Sequence, residues 1–340
     1  MSLFRFAVIG INHDHIHGQV EAMVGAGCEF AGFHAPEDDL ANAFLQKWPT
    51  AKRIEDRRRI LEDDSIRLIV SAGIPGDRAA VGLEAMRHGK DYMVDKPGMI
   101  SLEELAEVRR VQAETKRIYS VLYSEHYAQP STVKAGELVK QGAIGEVIHT
   151  VGLGPHRIRK DQRPPWFFNR SRYGGILTDI GSHQAEQFLF FTGADSARVK
   201  SATVGNRANA DKPGLQDFGD MHFETEGATG YVRLDWFTPD GLPTWGDGRL
   251  FLLGTEGTIE LRKYVDVSGR PGTDHLFLVD RKGMRHIDCA SVELPYGRQL
   301  ARDILDRTET HMTQAHCFRA MELALKAQAL AEGKPVDPQV

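Results

Sequence analysis

Apolar positions over the first 120 residues alternate between two patterns. Short runs at Phe4 to Ile9, Phe30 to Phe33, Leu68 to Ala72, Tyr92 to Val94 and Ile118 to Leu122 read as strands. Between them the apolar residues take helical spacing: Ile16, Val20 and Met23 before Gly25, Leu40 to Trp48, Ala79 to Arg87 before Gly89, and Leu102 to Lys116. Ser101 is the expected N-cap of the last helix, and Glu104 three residues on completes a capping box. Strands separated by helices of this length predict a parallel sheet built of βαβ units.

The pattern changes after Tyr127. Ser131 to Lys140 and Ile176 to Phe191 read as helices, the second with a glycine start, and Val147 to Gly152 as a strand. From Val199 onward come strand-like stretches separated by Gly and Pro: Val199–Val204, Met221–Thr225, Thr229–Phe237, Arg249–Leu253, Thr258–Arg262 and His275–Val279. They predict an antiparallel sheet of about five to six strands. A last helix is expected from about Thr310 to Glu332, ended by Gly333. The 340 residues suit two domains, with a boundary near residue 125.

Composition narrows the function classes. Hydrophobic residues at 41% and charged residues at 26% fit a globular protein and exclude a disordered chain. Lys plus Arg is 42 against 47 Asp plus Glu, a net charge of −5, which argues against nucleic acid as a partner. The one dense basic run, Lys52-Arg53 with Arg57 to Arg59, is interleaved with acids and reads as a solvated helix face. No apolar run approaches the roughly 20 residues of a membrane span. Cys28, Cys289 and Cys317 are far apart, without metal-ribbon or disulfide spacing, and Met1 to Gly10 is short for a signal peptide. A cytoplasmic protein is expected.

Candidate chemistry concentrates at strand ends. The first strand-to-helix turn reads Val8-Ile9-Gly10-Ile11-Asn12-His13-Asp14-His15-Ile16-His17-Gly18. A glycine turn there is where dinucleotide-binding folds hold a pyrophosphate on backbone N–H groups. Of the G-x-G-x-x-G pattern only Gly10 remains. Asn12, tolerant of left-handed backbone, stands at the second glycine and His15 at the third. The same segment supports a rival, because His13 and His15 have the spacing of zinc ligands in metal-dependent hydrolase barrels. Such a site needs further ligands at later strand ends; these read Gly73, Asp95 and Ser124, so no metal is expected.

The second strand ends Phe33-His34-Ala35-Pro36-Glu37-Asp38. NAD enzymes place an acid here for the adenosine ribose; Ala35 occupies the expected position and Glu37 is the candidate that follows. No Arg or Lys stands within the next eight residues to meet a 2′-phosphate, which favours NAD over NADP. Asp95-Lys96-Pro97 follows the fourth strand, at the sheet edge where ligands bind, and Lys96 can hold a substrate hydroxyl or simply turn the chain. Asp179 and His183, in Gly174-Gly175-Ile176-Leu177-Thr178-Asp179-Ile180-Gly181-Ser182-His183, are four apart and would share a helix face. Such a pair can move a proton near neutral pH, or be an ordinary helix-surface pair.

Taken in order, these segments resemble the glucose–fructose oxidoreductase, inositol dehydrogenase and rhizopine-catabolism (Gfo/Idh/MocA) family along nearly the whole chain. Pro75 follows the third strand and Gly89-Lys90 precedes the fourth. Asp95-Lys96-Pro97 matches the family's Glu-Lys-Pro with Asp for Glu, and Gly142-Ala143-Ile144-Gly145-Glu146-Val147 its entry to the second domain. Gly174-Gly175 through Asp179, Gly181 and His183 matches G-G-x-x-x-D-x-G-x-H, and Gly254-Thr255-Glu256-Gly257-Thr258 a late G-T-x-G turn.

The resemblance implies an α/β protein with an N-terminal Rossmann dinucleotide-binding domain, here 1–125. A C-terminal α/β domain, 126–340, would bind substrate and use an open, mostly antiparallel sheet to form homodimers or homotetramers. The implied activity is NAD(P)-dependent hydride transfer between nicotinamide and a hydroxyl or ketone of a sugar, cyclitol or related polyol. Lys96 would bind and polarise the reacting hydroxyl, Asp179 orient it and His183 accept its proton, with the choice of base between Lys96 and His183 left open. Gly10, Asn12, His13, His15, Glu37, Pro75, Lys96 and Glu125 would meet the cofactor. Tyr123 and His126 flank Glu125 after the fifth strand, and His156, Arg157, Trp166 and Phe167 are weaker pocket-wall candidates. Asn12, His15 and Ala35 depart from the family pattern, as does Glu186 where many members have Asp. Other readings are an NAD-dependent glycosidase that oxidises its sugar transiently, a non-catalytic NAD(H) or sugar sensor, and the metal hydrolase.

Overall fold

The structure, a computed structural model, describes residues 2–340. The first part alternates β1 (Arg5–Ile9), α1 (His15–Gly25), β2 (Glu29–His34), α2 (Asp38–Lys47), the single turn α3 (Arg58–Leu61), β3 (Ile66–Ser71), α4 (Pro75–Arg87), β4 (Asp91–Asp95), α5 (Leu102–Thr115) and β5 (Tyr119–Leu122). The strands form one parallel sheet in the order β2-β1-β3-β4-β5. Every residue of β4 and β5 is buried, which is why these strands read as continuous apolar runs. The expected cap of α5 is present: Ser101 Oγ accepts the Glu104 N–H at 3.2 Å, while the Glu104 carboxylate accepts the Ile100 N–H at 2.7 Å.

The second part contains α6 (Ser124–Tyr127), α7 (Pro130–Lys140), β6 (Val147–Pro155), α8 (Arg170–Tyr173), α9 (Ile176–Asp179) and α10 (Gly181–Thr192). Strands β7 (Arg198–Gly205), β8 (Phe218–Glu224), β9 (Thr229–Asp235), β10 (Arg249–Gly254), β11 (Thr258–Arg262), β12 (His275–Asp280) and β13 (Gly283–Ile287) follow. The sheet has eight strands, in the order β13-β12-β11-β10-β6-β9-β8-β7, rather than the five to six expected. It is antiparallel except for the central β6–β9 pair, which is parallel. Strand β13 had no apolar signal because neither of its faces is buried. Alternate residues of three neighbouring strands, Leu250 and Leu252, Ile259 and Leu261, Leu276 and Leu278, build one core with Ala135 and Phe191.

Two helices close the chain, α11 (Tyr296–Asp306) and α12 (Gln314–Ala331). Helix α11 was missed, although Leu300, Ala301 and Ile304 give it a buried stripe. It lies on α1, where a Cβ on Gly297 would meet the Ala22 carbonyl oxygen at 2.3 Å. Helix α12 starts four residues later than expected because Asp303 holds the preceding turn, accepting from the hydroxyls of Thr308 and Thr310 and from His311 at 2.6, 2.7 and 2.6 Å. Gln314 then pairs with both backbone groups of Tyr119 on the edge strand β5, at 2.8 and 3.2 Å.

These contacts correct the single cut near residue 125. One compact unit comprises the chain to Leu122 together with Pro295–Phe318, and the other Tyr123–Leu294 with Arg319–Val340. A segment that returns to the first sheet after some 170 residues of another unit leaves no local trace in the sequence. Among the described residues no helix is long and apolar enough to cross a membrane.

Candidate active site

In the first unit the turn after β1 is pinned to the end of β3. Gly10 has φ +88°, and a Cβ there would lie 3.0 Å from the Gly73 Cα. The Ala72 N–H donates to the Gly10 carbonyl at 3.0 Å and the His13 N–H to the Ala72 carbonyl at 2.9 Å. The His15 N–H donates to His13 Nδ1 at 3.2 Å, so two amides of this turn are already bonded within the protein, one of them inside the turn. Asn12 does not merely replace a glycine: its Nδ2 donates to Glu37 Oε1 at 3.2 Å, tying the first turn to the end of β2. Pro75 is the first residue of α4, two positions after Gly73.

The end of β4 is organised by a residue the sequence reading missed. Arg78 on α4 is 1% exposed. Its guanidinium donates to the carbonyls of Gly73, Asp95, Lys96 and Pro97 at 2.8, 3.1, 2.5 and 3.1 Å, and to Asp95 Oδ2 at 3.0 Å. Lys96 is buried and followed by a cis peptide to Pro97. Asp95 Oδ1 bonds His15 Nδ1 at 2.9 Å. Burial opposes ionisation of Asp95, but the charges of His15 and Arg78 outweigh it and hold the carboxyl well below its usual range. Burial, reinforced by His15, pushes the half-buried His13 well below an ordinary imidazole.

His13, His15 and Asp95 bring three possible metal-ligand atoms within 4.8 Å of one another, a convergence not expected from the sequence. Asp95 Oδ2 is nevertheless already bound to the buried Arg78 cation. A second cation there would face that charge, so this donor set is a weak one for a metal ion.

At the end of β2 the structure corrects the reading of nearby cations. Arg53, fifteen residues after Asp38, is returned to this strand by a bridge to Phe33. It donates to the carbonyls of Ala35 and Pro36 at 3.0 and 3.3 Å and to Asp38 at 2.7 Å. Lys52 and Arg53 therefore line a strand edge, and only Arg58 and Arg59 of the basic run are helical.

In the second unit Asp179 and His183 do not lie on one unbroken helix. Asp179 ends α9, Ile180 interrupts, and His183 is the third residue of α10. The break falls where the chain passes closest to the sheet: a Cβ on Gly181 would meet Met221 and Leu234 side chains at 2.8 and 3.1 Å. Ser182 Oγ closes the join on the Asp179 carbonyl at 3.1 Å. His183 is 2% exposed. Helix α10 rests on β6 and β9 through glycine gaps, since a Cβ on Gly152 would strike Gln184 and one on Gly230 would strike Phe188.

Around His183 lies a buried polar group whose members were only partly foreseen. Glu125 Oε2 accepts from Lys263 Nζ and from Gln184 Nε2, each at 2.8 Å. Burial alone would raise the Glu125 pKa; the charges of Lys263, His183 and His156 reverse this and hold it at about 2. His126 is buried, bonded through Nδ1 to Glu186 at 2.9 Å and stacked 4.1 Å from Tyr127, which is a packing role. His156 sits between Trp236 and Trp245, with ring centroids 5.2 and 4.5 Å away, and Trp245 meets Tyr264 at 4.4 Å. Phe167 packs on Tyr173 and Trp236, and Trp166 on Phe167. Arg157 donates to the carbonyls of Pro239 and Leu242, so its guanidinium ties down a loop. Lys263, Gln184, Trp236 and Trp245 carried no motif and became visible only through packing.

Comparison with known proteins accords with this architecture. A family model described as an oxidoreductase family with an NAD-binding Rossmann fold matches residues 4–123, and one described as the GFO/IDH/MocA C-terminal domain matches residues 132–260. The chain is 24% identical to scyllo-inositol 2-dehydrogenase (NAD(+)) of Bacillus subtilis, over 97% of this chain and 87% of that protein. A crystal structure from Erwinia carotovora atroseptica, assigned as an oxidoreductase, has a TM-score of 0.94 at 44% identity, covering 96% of this chain and 98% of that one. An oxidoreductase from Agrobacterium radiobacter in complex with NAD+, L-tartaric acid and magnesium shares the fold, with a TM-score of 0.82 at 19% identity and 99% and 98% coverage. With both halves matched in order, the chain belongs to the GFO/IDH/MocA family of NAD(P)-dependent oxidoreductases.

Proposed function

We propose that the protein is a dehydrogenase of a sugar, cyclitol or related polyol, with Lys96, Asp179 and His183 as its working side chains. The observation that carries this reading is His183 itself, an imidazole buried near the Glu125 carboxylate on a helix joined directly to Asp179. The turn at Gly10 fits a dinucleotide, because a side chain on Gly10 would fill the cradle against Gly73 and because His13, His15 and Lys96 offer donors to a pyrophosphate or ribose. Glu37 would take the ribose hydroxyls, with Asn12 steadying it, and Pro75 would flank the nicotinamide side. This arrangement favours NAD, while Arg53 beside Ala35 lends NADP a partner.

Bound NAD(P) supplies the hydride acceptor or donor. Lys96 Nζ binds and polarises the reacting hydroxyl. Asp179 orients the same group, and an imidazole nitrogen of His183 takes its proton. Trp245 and Tyr264 offer aromatic faces suited to the C–H faces of a polyol ring. Glu125 Oε2 is committed to Lys263 and Gln184, which makes its part electrostatic, while Oε1 accepts no hydrogen bond and is the atom that could meet the cofactor.

The scyllo-inositol dehydrogenase relative supports a cyclitol or sugar as the substrate class. We also read the protein as a cytoplasmic homodimer or homotetramer, joined through the open sheet face where Ile148, Leu253 and Val279 are exposed. A screen of inositols, aldoses and sugar acids with NAD tests the function. NADH formation that Lys96→Ala and His183→Ala both lower by about 100-fold or more is expected, and unchanged turnover in both variants would overturn the assignment of roles. Light scattering tests the assembly, a monomeric mass being the contrary result.

A further inference from the structure

We propose that Lys263 is a positioning residue for proton transfer, fixing through Glu125 the negative charge beside His183. The inference rests on the reading of His183 as the proton acceptor. Lys263 has no exposed side-chain surface, and its Nζ donates to Glu125 Oε2 and to Gln187 Oε1, each at 2.8 Å. Gln187 Nε2 in turn donates to the His183 carbonyl at 2.9 Å, and Gln184, next to His183, donates to the same carboxylate oxygen as Lys263. One ammonium group thus secures both the carboxylate and the helical turn that carries the imidazole.

A buried ion pair is a poor device for stability alone, since apolar residues of similar size are often as stabilising. Its placement here has an electrical consequence. Facing Glu125 are Lys263 and Tyr264 from the segment after β11, His183 from α10 and His156 from the end of β6. Glu186, the acid of α10, is bonded to His126. Among the described residues Glu125 Oε1 is buried and accepts no hydrogen bond, and Lys263 is the one cation hydrogen-bonded to this carboxylate. Without that ammonium, burial favours the neutral acid. The negative charge that favours a protonated His183 is then lost, and the imidazole gives up its proton at lower pH.

The test follows the His183 imidazole by NMR titration of the full-length protein, with its signal identified by its loss in His183→Gln. The kcat/KM pH profile is measured alongside. Lys263→Met and Glu125→Gln are each expected to lower the His183 midpoint by about one unit, and to move the acid limb of kcat/KM down with it. The double variant is expected to match Lys263→Met, because both leave a neutral side chain at position 125 and no cation beside it, whereas Glu125→Gln alone, which keeps the Lys263 cation, lowers the midpoint at least as far. Lys263→Arg is expected to keep the wild-type midpoint. A folded Lys263→Met or Glu125→Gln protein with an unshifted midpoint would overturn the coupling. A shifted midpoint with an unshifted acid limb would instead overturn His183 as the base, so the two failures are told apart. If Lys263→Met does not fold, Glu125→Gln and Lys263→Arg decide the matter.

Discussion

Arg78 and Asp95 form a fully buried ion pair at 3.0 Å, each side chain 1% exposed, at the end of the strand that presents Lys96. The same guanidinium gathers four backbone carbonyls from two strand ends. Removing it leaves four acceptors without their donor and the buried Asp95 with only its bond to His15. Arg78→Met is expected to destabilise the protein by about 3–5 kcal/mol, seen as a lower urea midpoint at unchanged slope. A loss below about 1 kcal/mol would mean that the pair behaves like a surface bridge.

Gly10 tests the dinucleotide turn. Its φ of +88° and its approach to Gly73 both exclude a side chain. Gly10→Ala is expected to cost more than about 1 kcal/mol and to weaken NADH binding at least about tenfold, read from nicotinamide fluorescence. Wild-type affinity would place the dinucleotide elsewhere.

The proposed ribose site at the end of β2 is tested by cofactor choice. Glu37→Ala is expected to raise the Kd for NADH about tenfold by removing charged hydrogen bonds, while leaving that for NADPH nearly unchanged. Arg53→Ala is expected to do the reverse. Equal effects on both cofactors in both variants would remove these residues from the ribose site.

Glu125 sets an acid limit on stability. Its folded pKa is held near 2, below the ordinary 4.5, so its contribution is complete above the unfolded value and is lost as pH falls from about 4.5 toward about 2. The shift corresponds to about 3 kcal/mol. Glu125→Gln is expected to flatten that part of the stability curve, measured by urea unfolding at fixed pH values. An unchanged slope between pH 4.5 and 2 would show that the carboxylate is not depressed.

The parallel sheet was legible because its strands other than β2 are almost wholly buried and its helices carry strong periodicity. Gly10, Lys96, Asp179 and His183 could be proposed from the sequence because each belongs to a set of residue types at fixed local spacing. What escaped depends on distant returns of the chain. Arg53 reaches Ala35 through a bridge, Arg78 looks like any helix arginine until it is seen beneath Asp95, and Lys263 meets Glu125 across 138 positions. Helix α11 is amphipathic enough to be found, yet nothing local shows that it belongs with α1. The interruption at Ile180 is equally silent, because Gly181 reports a close approach only once Met221 and Leu234 are in place.

The most direct measurement quantifies NADH and oxidised product together after incubating the protein with NAD and a responsive polyol. The account expects one NADH per ketone formed, with both lost in Lys96→Ala and His183→Ala. Release of an aryl aglycone from a glycoside without accumulation of NADH would contradict it, and would mark the chain as a glycosidase that only borrows its cofactor.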